Sequence, residues 1–377
     1  MCQSLHDLDE KQLNGRLVCL RGSDEQCLKQ ISKSGLQLSI IGFNCDYTPF
    51  AMVRDERMEQ YCIQHNIECV KSKFDYTLLP LDSVMNGSDQ PYSMFTPFYN
   101  KLMSEHASKI QRVDTTPFHV DRMFFENGKK YLAKYIIDPI SLMNGSTTSN
   151  TGASLVRSTE AGGRAEGLKK ITGIKTMIDY KQVRDFLGRD KTSHLSPHLK
   201  FGTVSIREAW HTAVQALGSD HALVRQFVWR EFYSMLIYHH PRLVQGQLNV
   251  FRATKDEKPK LNAPFQAKFD KFKWKWDSKH YELFKQGQTG VPLVDAAVRC
   301  LNATGWCHNR ARLVAGSFLV KVLGVDWREG ERWYATVAVD YDVANNSGGW
   351  LWVSGQGADA QPFFRMFNPY RQSQKFD

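Results

Sequence analysis

A stripe of four chemically different side chains lies in residues 221–240, HALVRQFVWREFYSMLIYHH, whose apolar periodicity predicts a long helix. Gln226, Trp229, Arg230 and Tyr233 fall at offsets of 0, 3, 4 and 7, so they share one helix face. An amide, an indole, a guanidinium and a phenol together are unusual for a plain core. The alternative is a partly buried face whose polar tips reach solvent, and the spacing leaves both interpretations open.

A second cluster, ANNSGGWLWVSG at residues 344–355, combines amides, glycines and indoles. Asn345 and Asn346 are poor core residues, and the glycine pair that follows permits close backbone approach. Trp350 and Trp352 come next, either on one side of an extended run or well apart on a helix. The mixture suits a planar aromatic ligand contacted by amides and backbone. The alternative is an irregular loop whose tryptophans fill the core.

A third candidate is an arginine on the predicted helix 308–323. Asn309, Arg312 and Leu313 share a face of this helix. Arg312 would be costly to bury without a carboxylate, and Asp340 and Asp342 are the candidate partners. An ordinary structural salt bridge would satisfy the same spacing.

Hydroxyl side chains are dense in KTSHLSPHL, residues 191–199, beside a predicted helix start. Thr192, Ser193 and Ser196 could donate to phosphate oxygens together with the N–H groups of the first helical turn. A simple N-cap is the alternative use of such residues.

These groups must be positioned by more than one structural unit, since 377 residues exceed one typical domain. Five segments alternate as strand, helix, strand, helix and strand: 16–22, 23–35, 37–44, 54–66 and 67–73. This order predicts a parallel, doubly wound sheet. The pattern after residue 165 is helical, so we expect an α/β region followed by an all-α region.

Composition narrows the class of protein. The formal net charge of +10 and pI of about 9.1 permit a polyanionic partner without requiring one. The eight cysteines form no C-x-x-C pair, which argues against a zinc site and favours reduced thiols in an intracellular protein of the nucleus or cytoplasm. No apolar run approaches the roughly 20 residues of a membrane span, and the polar N-terminus is not a secretory signal.

Several blocks occur together in one order: TSHLSPHLKFG, WREFY, GQTGVPLVDAAVRCLNATGWCHNRAR, DWREGERW and DYDVANNSGGWLWVSGQGADAQPFFRMFNPYRQSQKFD. The series resembles the DNA photolyase/cryptochrome family, and most of all a class I cyclobutane pyrimidine dimer photolyase, shortened at both ends. Residues 4–115, which include FNCDYTPFAMVRDERM, resemble the family's α/β antenna domain. The resemblance implies an antenna-like domain without its first strand over 1–115, a linker over 116–170 and a helical FAD-binding domain over 171–377.

The resemblance implies FAD, held in a U shape by the helical domain. The residues that match family contacts to the cofactor are Tyr180, Thr192, Ser193, Leu195, Ser196, Arg230, Arg312, Asp340, Asp342 and Asn346. Asn346 matches the residue facing flavin N5, where dimer photolyases have an amide, animal cryptochromes a cysteine and plant cryptochromes an aspartate. The absent opening strand weighs against binding of a folate or deazaflavin antenna chromophore.

The same resemblance implies catalytic and substrate residues. Trp350, Trp327 and Trp274 match an electron-transfer series from flavin to surface, with Trp276 as an alternative last member, and Asn309 matches an amide beside flavin and lesion. The matches to substrate contacts are Gln226, Trp229, Arg310, Leu313, Trp352 and Arg365. In the family, the counterparts of Trp229 and Trp352 wall a flipped-out dimer, and the two arginines contact the DNA backbone.

Two positions depart from the dimer-photolyase pattern. Gln226 stands where a glutamate is usual, and glutamine there is typical of (6-4) photolyases. Those enzymes carry a second histidine directly after the first. This chain reads Cys307, His308 and Asn309, so the histidine is followed by an asparagine. We therefore expect a monomeric deoxyribodipyrimidine photo-lyase, a carbon–carbon lyase that uses photoexcited reduced FAD to repair damaged DNA. A cryptochrome-type photoreceptor, a (6-4) photolyase and a degenerate DNA-binding flavoprotein with weak repair are the alternatives.

Overall fold

The computed structural model describes residues 1–73, 75–113, 132–133, 136–138, 160–251, 258–360, 362 and 364–376. Its first part contains α1 (Cys2–Leu8), α2 (Asp24–Lys33), β1 (Ile40–Asn44), α3 (Pro49–Gln64), β2 (Glu68–Ser72) and α4 (Phe95–Lys101). The two strands pair in parallel, with Ile40 opposite Glu68 and Asn44 opposite Ser72. The predicted parallel α/β organisation is confirmed, and its sheet has two strands within the described residues.

The strand predicted over residues 16–22 is wrong. Within the described residues, its strand pairing is limited to one antiparallel bridge between Leu20 and Ile136, beside which the Cys19 carbonyl accepts from the N–H of Ile137 at 2.9 Å. The N–H of Leu17 donates to the Asp9 carboxylate at 2.6 Å, so this backbone group is used locally instead of in a ladder. An apolar run cannot by itself show whether its backbone finds a strand partner.

The second part is helical, as predicted. It contains α5 (Arg164–Gly173), α6 (Tyr180–Val183), α7 (Ser196–Lys200), α8 (Ile206–Leu217), α9 (Ala222–His239), α10 (Ser278–Gln286), α11 (Pro292–Thr304), α12 (Asn309–Ser317), α13 (Trp327–Val337), α14 (Val343–Ser354) and α15 (Pro369–Phe376). Short π or 3-10 turns occupy Asp9–Leu13, Leu102–His106, Ala107–Lys109, Ile174–Thr176, Pro241–Phe251, Ala267–Phe269 and Phe318–Val322. None of the helices within the described ranges is both long and apolar enough to cross a bilayer.

The predicted domain boundaries stay predictions. Most of the predicted linker 116–170, including much of the Ser/Thr/Gly-rich stretch 139–165, lies outside the described residues. α5 begins at Arg164, inside that linker, and continues past residue 171.

Helices α9 and α14 form the centre of the helical part and approach each other closely. Gly348 of α14 lies against the ring of Tyr233 of α9, and a Cβ at Gly348 would overlap three of its ring carbons. Only glycine permits this approach, which brings both predicted ligand-binding faces to one place.

The connection after β2 is fastened to α9 by a buried carboxylate. Glu231 accepts hydrogen bonds from the N–H groups of Leu78 at 3.0 Å and Leu79 at 3.1 Å. Burial raises the pKa of Glu231 to about 7, although both N–H groups and nearby Arg230 favour the ionised form. This anchor fixes the segment that carries Tyr76.

Glu231→Gln should lower the free energy of unfolding by about 1–3 kcal/mol, because the amide NH₂ would face one buried N–H donor. A raised pKa means that the folded state holds the proton more tightly than the unfolded chain. The resulting stabilisation is fully present below pH 4.5 and is lost as pH rises to about 7. The free energy of unfolding, measured with urea between these pH values, should therefore vary less with pH in the variant than in the wild type. Glu56→Gln, at an exposed glutamate, is the control; identical slopes for wild type and Glu231→Gln would contradict the assignment.

Candidate functional site

One cavity of about 570 Å³ brings the predicted residues together. All ten residues matched to cofactor contacts line it: Tyr180, Thr192, Ser193, Leu195, Ser196, Arg230, Arg312, Asp340, Asp342 and Asn346. It is also lined by Gln226, Trp229, Asn309, Arg310, Leu313, Trp350 and Trp352. Trp327, Trp274 and Arg365 lie outside the lining. The volume is within the roughly 300–1,000 Å³ typical of ligand pockets.

The hydroxyl-rich segment forms one end of this cavity. α7 begins at Ser196, with Leu195 at its N-cap position and no side chain capping it, so the simple N-cap interpretation is wrong. The Thr192 hydroxyl is buried and has no hydrogen-bond partner in the part of the chain that the structure describes. His194, whose backbone is left-handed at φ 49°, is held between Glu160 and Asp190 at 2.6 Å each. The hydroxyls are therefore available to a ligand and are not used by the helix start.

The arginine predicted to need a carboxylate has one. Arg312 Nη2 donates to both oxygens of Asp340, at 3.0 and 2.9 Å, and its Nε donates to the Cys307 carbonyl at 2.7 Å. Burial alone would lower the pKa of Arg312, but Asp340 raises it above its ordinary value. The Asp340 side chain is only 4% exposed. The cavity wall thus carries a fixed, buried ion pair.

Asp342 is held by groups from three parts of the chain. Its Oδ1 accepts from the N–H of Asn345 at 2.8 Å and caps α14, while its Oδ2 accepts from the Tyr76 hydroxyl at 2.7 Å. Arg230 Nη1 donates to the Tyr76 carbonyl at 2.8 Å, and its guanidinium lies 4.3 Å from the Tyr76 ring centre. Burial opposes ionisation, yet Arg230 and these hydrogen bonds hold the pKa of Asp342 below its ordinary value. Asp342 is therefore a partly buried carboxylate that is held in its ionised form.

Sequence reasoning missed Tyr76. It also lines the cavity, but its partners Arg230 and Asp342 are 154 and 266 residues away. Nothing in the local pattern around Tyr76 indicates such contacts.

The amide matched to the flavin N5 position is fixed in orientation. Asn346 Nδ2 donates to the carbonyl and to Oε1 of Glu331, at 3.1 Å each, and Ser347 donates to the same Oε1 at 3.1 Å. Burial raises the pKa of Glu331, with the hydrogen bonds opposing this. Because both amide protons are used, a ligand would meet the carbonyl oxygen of Asn346, which is an acceptor. Glu331 was also missed from the sequence.

The indoles matched to the electron-transfer series differ in their contacts and burial. Trp350 packs its ring on Gly330 of α13 and edge-on against Tyr334, with ring centres 5.2 Å apart. Trp327 lies three residues before Gly330 on the same face, is fully buried and donates to Gln356 at 3.2 Å. Trp274 is half-buried, whereas Trp276 is 63% exposed. Their roles in electron transfer stay predictions.

Gly330→Ala tests how tightly Trp350 is held. A Cβ at Gly330 would overlap three carbons of the Trp350 ring, so we expect a loss of about 1–3 kcal/mol from overpacking, partly offset by the gain of roughly 1 kcal/mol in helix propensity. Tryptophan fluorescence should shift as the Trp350 ring moves. Gly349→Ala, where a Cβ meets nothing within 4 Å, is the matched control on α14. An unchanged spectrum for Gly330→Ala would contradict the packing argument.

The residues matched to substrate contacts divide into two groups. Trp229 stacks on Phe95, with ring centres 3.7 Å apart and planes 3° apart, so Phe95 backs one face of this indole. Arg310 is engaged by Asp185 at 2.8 Å and Gln372 at 2.9 Å. Arg365 is exposed and lies away from the cavity. The structure thus joins the aromatic wall and Arg310 to the cavity and places Arg365 outside its lining.

A helical region around a polar and aromatic cavity, preceded by a parallel α/β region, defines a two-part protein built to hold a large cofactor. Residues 223–377 match the model of the FAD binding domain of DNA photolyase, and residues 1–117 match that of DNA photolyase. The chain belongs to the DNA photolyase/cryptochrome family, and FAD is its cofactor.

The sequence similarity to known proteins covers most of the chain. A deoxyribodipyrimidine photo-lyase of Streptomyces griseus is 32% identical over 100% of this chain and 75% of its own length. That of Escherichia coli (strain K12) is 33% identical over 89% of this chain, which spans 66% of the relative. Among solved structures, a class III photolyase from Agrobacterium tumefaciens has a TM-score of 0.74 at 30% identity, covering 100% of this chain and 74% of that one. A Synechocystis sp. PCC6803 cryptochrome has a TM-score of 0.75 at 26% identity with the same coverage. Assignment to class I stays a prediction.

The residues present fit FAD. The buried Thr192 hydroxyl, which has no hydrogen-bond partner among the described residues, lies on the cavity wall. Acceptors for ring N–H groups, an arginine and hydroxyl donors are all present in the same cavity. This set suits a ligand with phosphates, hydroxyls and a planar heterocycle.

Proposed function

We propose that the protein repairs cyclobutane pyrimidine dimers in DNA in a light-dependent reaction, as a deoxyribodipyrimidine photo-lyase. The observation that carries this proposal is the convergence of the cofactor-matched and lesion-matched residues on one cavity. FAD, when bound there, supplies the light-driven electron that splits the dimer's carbon–carbon bonds. The names of relatives such as that of Streptomyces griseus support the same activity.

The chain's own groups would hold and tune the cofactor. Thr192, Ser193 and Ser196 would donate to its phosphates and hydroxyls, and the Arg312–Asp340 pair would set the field beside the ring. Asn346, fixed by Glu331, would accept a ring N–H at its carbonyl oxygen.

The lesion would be received by the aromatic and amide part of the cavity. Trp229, backed by Phe95, and Trp352 would contact the faces of the flipped pyrimidines, and Gln226 would bond their polar edges. A dimer stacks poorly, which reduces the cost of flipping to a few kcal/mol. The net charge of +10 favours binding to the DNA backbone without sequence preference.

Repair is tested with purified protein reconstituted with FAD and reduced chemically. Blue light should remove thymine dimers from an oligonucleotide, followed by chromatography, and leave a (6-4) photoproduct in a matched oligonucleotide intact. Trp229→Ala should weaken binding of the dimer-containing strand, whereas Trp333→Ala, outside the cavity lining, should not. Dimer loss no faster in light than in darkness would refute the proposal.

A second candidate is a blue-light photoreceptor. Gln226 replaces the usual glutamate, and one structural neighbour is a cryptochrome. The same reconstituted protein separates the two functions: a photoreceptor would undergo flavin photoreduction in its oxidised form and would remove neither lesion in its reduced form.

A further inference from the structure

A basic surface remains that neither the cavity nor DNA repair explains. Residues 268–279, KFDKFKWKWDSK, are here named the lysine–aromatic strip. Its five lysines are all exposed: Lys268, Lys271, Lys273, Lys275 and Lys279. None of them forms an ion pair within the part of the chain that the structure describes.

The acidic residues of the strip do not neutralise it. Asp277 caps α10 and contacts His280 at 2.5 Å, and Asp270 lies 4.0 Å from Arg242. The strip contains no arginine. Between its lysines, Trp276 is 63% and Phe272 40% exposed. Unpaired positive charge therefore surrounds large exposed aromatic surface.

The strip lies away from the cavity, beside the turn that precedes Trp327. The Lys275 N–H donates to the carbonyl of Gly324 at 2.9 Å, three residues before Trp327. The ring of Trp276 lies 5.6 Å from that of Tyr281, whose hydroxyl donates to the Glu329 carbonyl of α13 at 3.0 Å. None of the strip's residues lines the cavity. A flipped base in the cavity would not touch this surface.

We propose that the lysine–aromatic strip is the docking surface for an acidic one-electron carrier protein. The proposal rests on the proposed function, since it needs the indole series to conduct. With oxidised FAD bound, Trp350 would give one electron to the photoexcited cofactor, and the electron deficit left on Trp350 would pass to the outer indoles. The carrier gives one electron to the exposed indole and is itself oxidised by one electron. No bond forms or breaks, and the series returns to its starting state.

Lysines rather than arginines favour this partner over a nucleic acid. Lysine ammonium groups act as mobile point charges, whereas the planar guanidinium is preferred for bidentate phosphate recognition. Weak, electrostatically steered contacts around a small apolar patch are typical of transient electron-transfer complexes. The exposed Trp276 places an oxidisable ring at the centre of that contact.

The test is laser-flash spectroscopy of the oxidised holoprotein with a reduced acidic [2Fe–2S] ferredoxin as the probe. The oxidised-tryptophan signal should decay at a rate proportional to ferredoxin concentration, and more slowly at high salt. In the triple variant Lys271→Glu, Lys273→Glu, Lys275→Glu, that rate should fall by at least about tenfold. Decay driven by neutral dithiothreitol should be unchanged, which shows that the indoles remain accessible.

The control has the same change in charge at exposed lysines in the first part of the chain: Lys33→Glu, Lys73→Glu, Lys109→Glu. Its ferredoxin rate should stay within about twofold of wild type, since local and not net charge steers docking. Equal slowing in both triple variants, or a decay independent of ferredoxin concentration, would overturn the proposal. So would loss of undamaged single-stranded DNA binding in the strip variant alone, which would make the strip a nucleic-acid surface.

Failure of the proposed function gives a different pattern. The strip variant, reduced chemically, should repair dimers as wild type does. A wild type that repairs dimers but shows no tryptophan signal would overturn the carrier proposal and leave repair intact. A wild type with a ferredoxin-dependent tryptophan signal and no repair would refute the proposed repair function and leave the carrier proposal intact.

Discussion

Asp340→Ala should empty the cavity of FAD and lower the free energy of unfolding by about 3–5 kcal/mol. The substitution removes the carboxylate that accepts both hydrogen bonds from Arg312 Nη2, at 3.0 and 2.9 Å. Arg312 cannot shed its charge and would be left in the cavity wall without its counterion. Urea unfolding gives the stability, and the flavin absorbance that remains after gel filtration gives cofactor retention.

A double variant separates stability from cofactor binding. Arg312→Met together with Asp340→Ala removes the uncompensated charge, so it should regain part of the stability lost in Asp340→Ala. FAD should still be lost, because the field beside the ring is gone. Asp82→Ala, at an exposed aspartate outside the cavity lining, is the control and should retain FAD. If Asp340→Ala keeps its flavin and unfolds within about 1 kcal/mol of wild type, the ion pair has no such role.

The parts of the site that the sequence predicts are those with local or chemically forced partners. The stripe on α9 follows from helix periodicity alone, and Gln226, Trp229, Arg230 and Tyr233 all line the cavity. Arg312 needs a carboxylate wherever it is buried, and one of the two aspartates expected for it, Asp340, is its partner. Such inferences require no knowledge of the tertiary packing.

Segment 344–355 shows where local reasoning ends. Its composition left a loop, an extended run and a helix open, and the segment lies almost wholly in helix α14, Val343–Ser354, which Asp342 caps. Trp350 and Trp352 stand two positions apart on this helix, and both line the cavity. The amides and glycines that disfavour a helix are tolerated because Glu331 binds Asn346 and Tyr233 fills the space over Gly348. Tertiary contacts outweigh propensity here.

The residues missed from the sequence share one property. Tyr76, Phe95 and Glu331 act on partners supplied by other elements. The failed strand at 16–22 has the same origin, because strand pairing depends on a distant partner segment. A single sequence carries no record of which distant segments meet.

Trp350→Phe should slow photoreduction of oxidised FAD by at least tenfold, about 1.4 kcal/mol in effective barrier, and leave repair by chemically reduced protein within about twofold of wild type. Phenylalanine keeps an apolar ring on Gly330 and Tyr334 but is much harder to oxidise than indole. Repair starts from cofactor that is already reduced, so it does not need this electron. Absorbance of oxidised flavin under blue light with a reductant measures the first rate, and chromatography of the dimer-containing oligonucleotide measures the second.

The matched control is Trp333→Phe, on the same helix α13 as Trp327. Trp333 packs edge-on against Phe284, with ring centres 5.7 Å apart, and lies outside the cavity lining. Trp333→Phe should keep the wild-type rates of photoreduction and of repair. It thereby controls for any general effect of removing an indole. Equal loss of photoreduction and repair in Trp350→Phe would mean that this ring shapes the cavity instead of conducting electrons. Loss of photoreduction alone would make Trp350 an electron donor to the oxidised cofactor that repair by the reduced cofactor does not use.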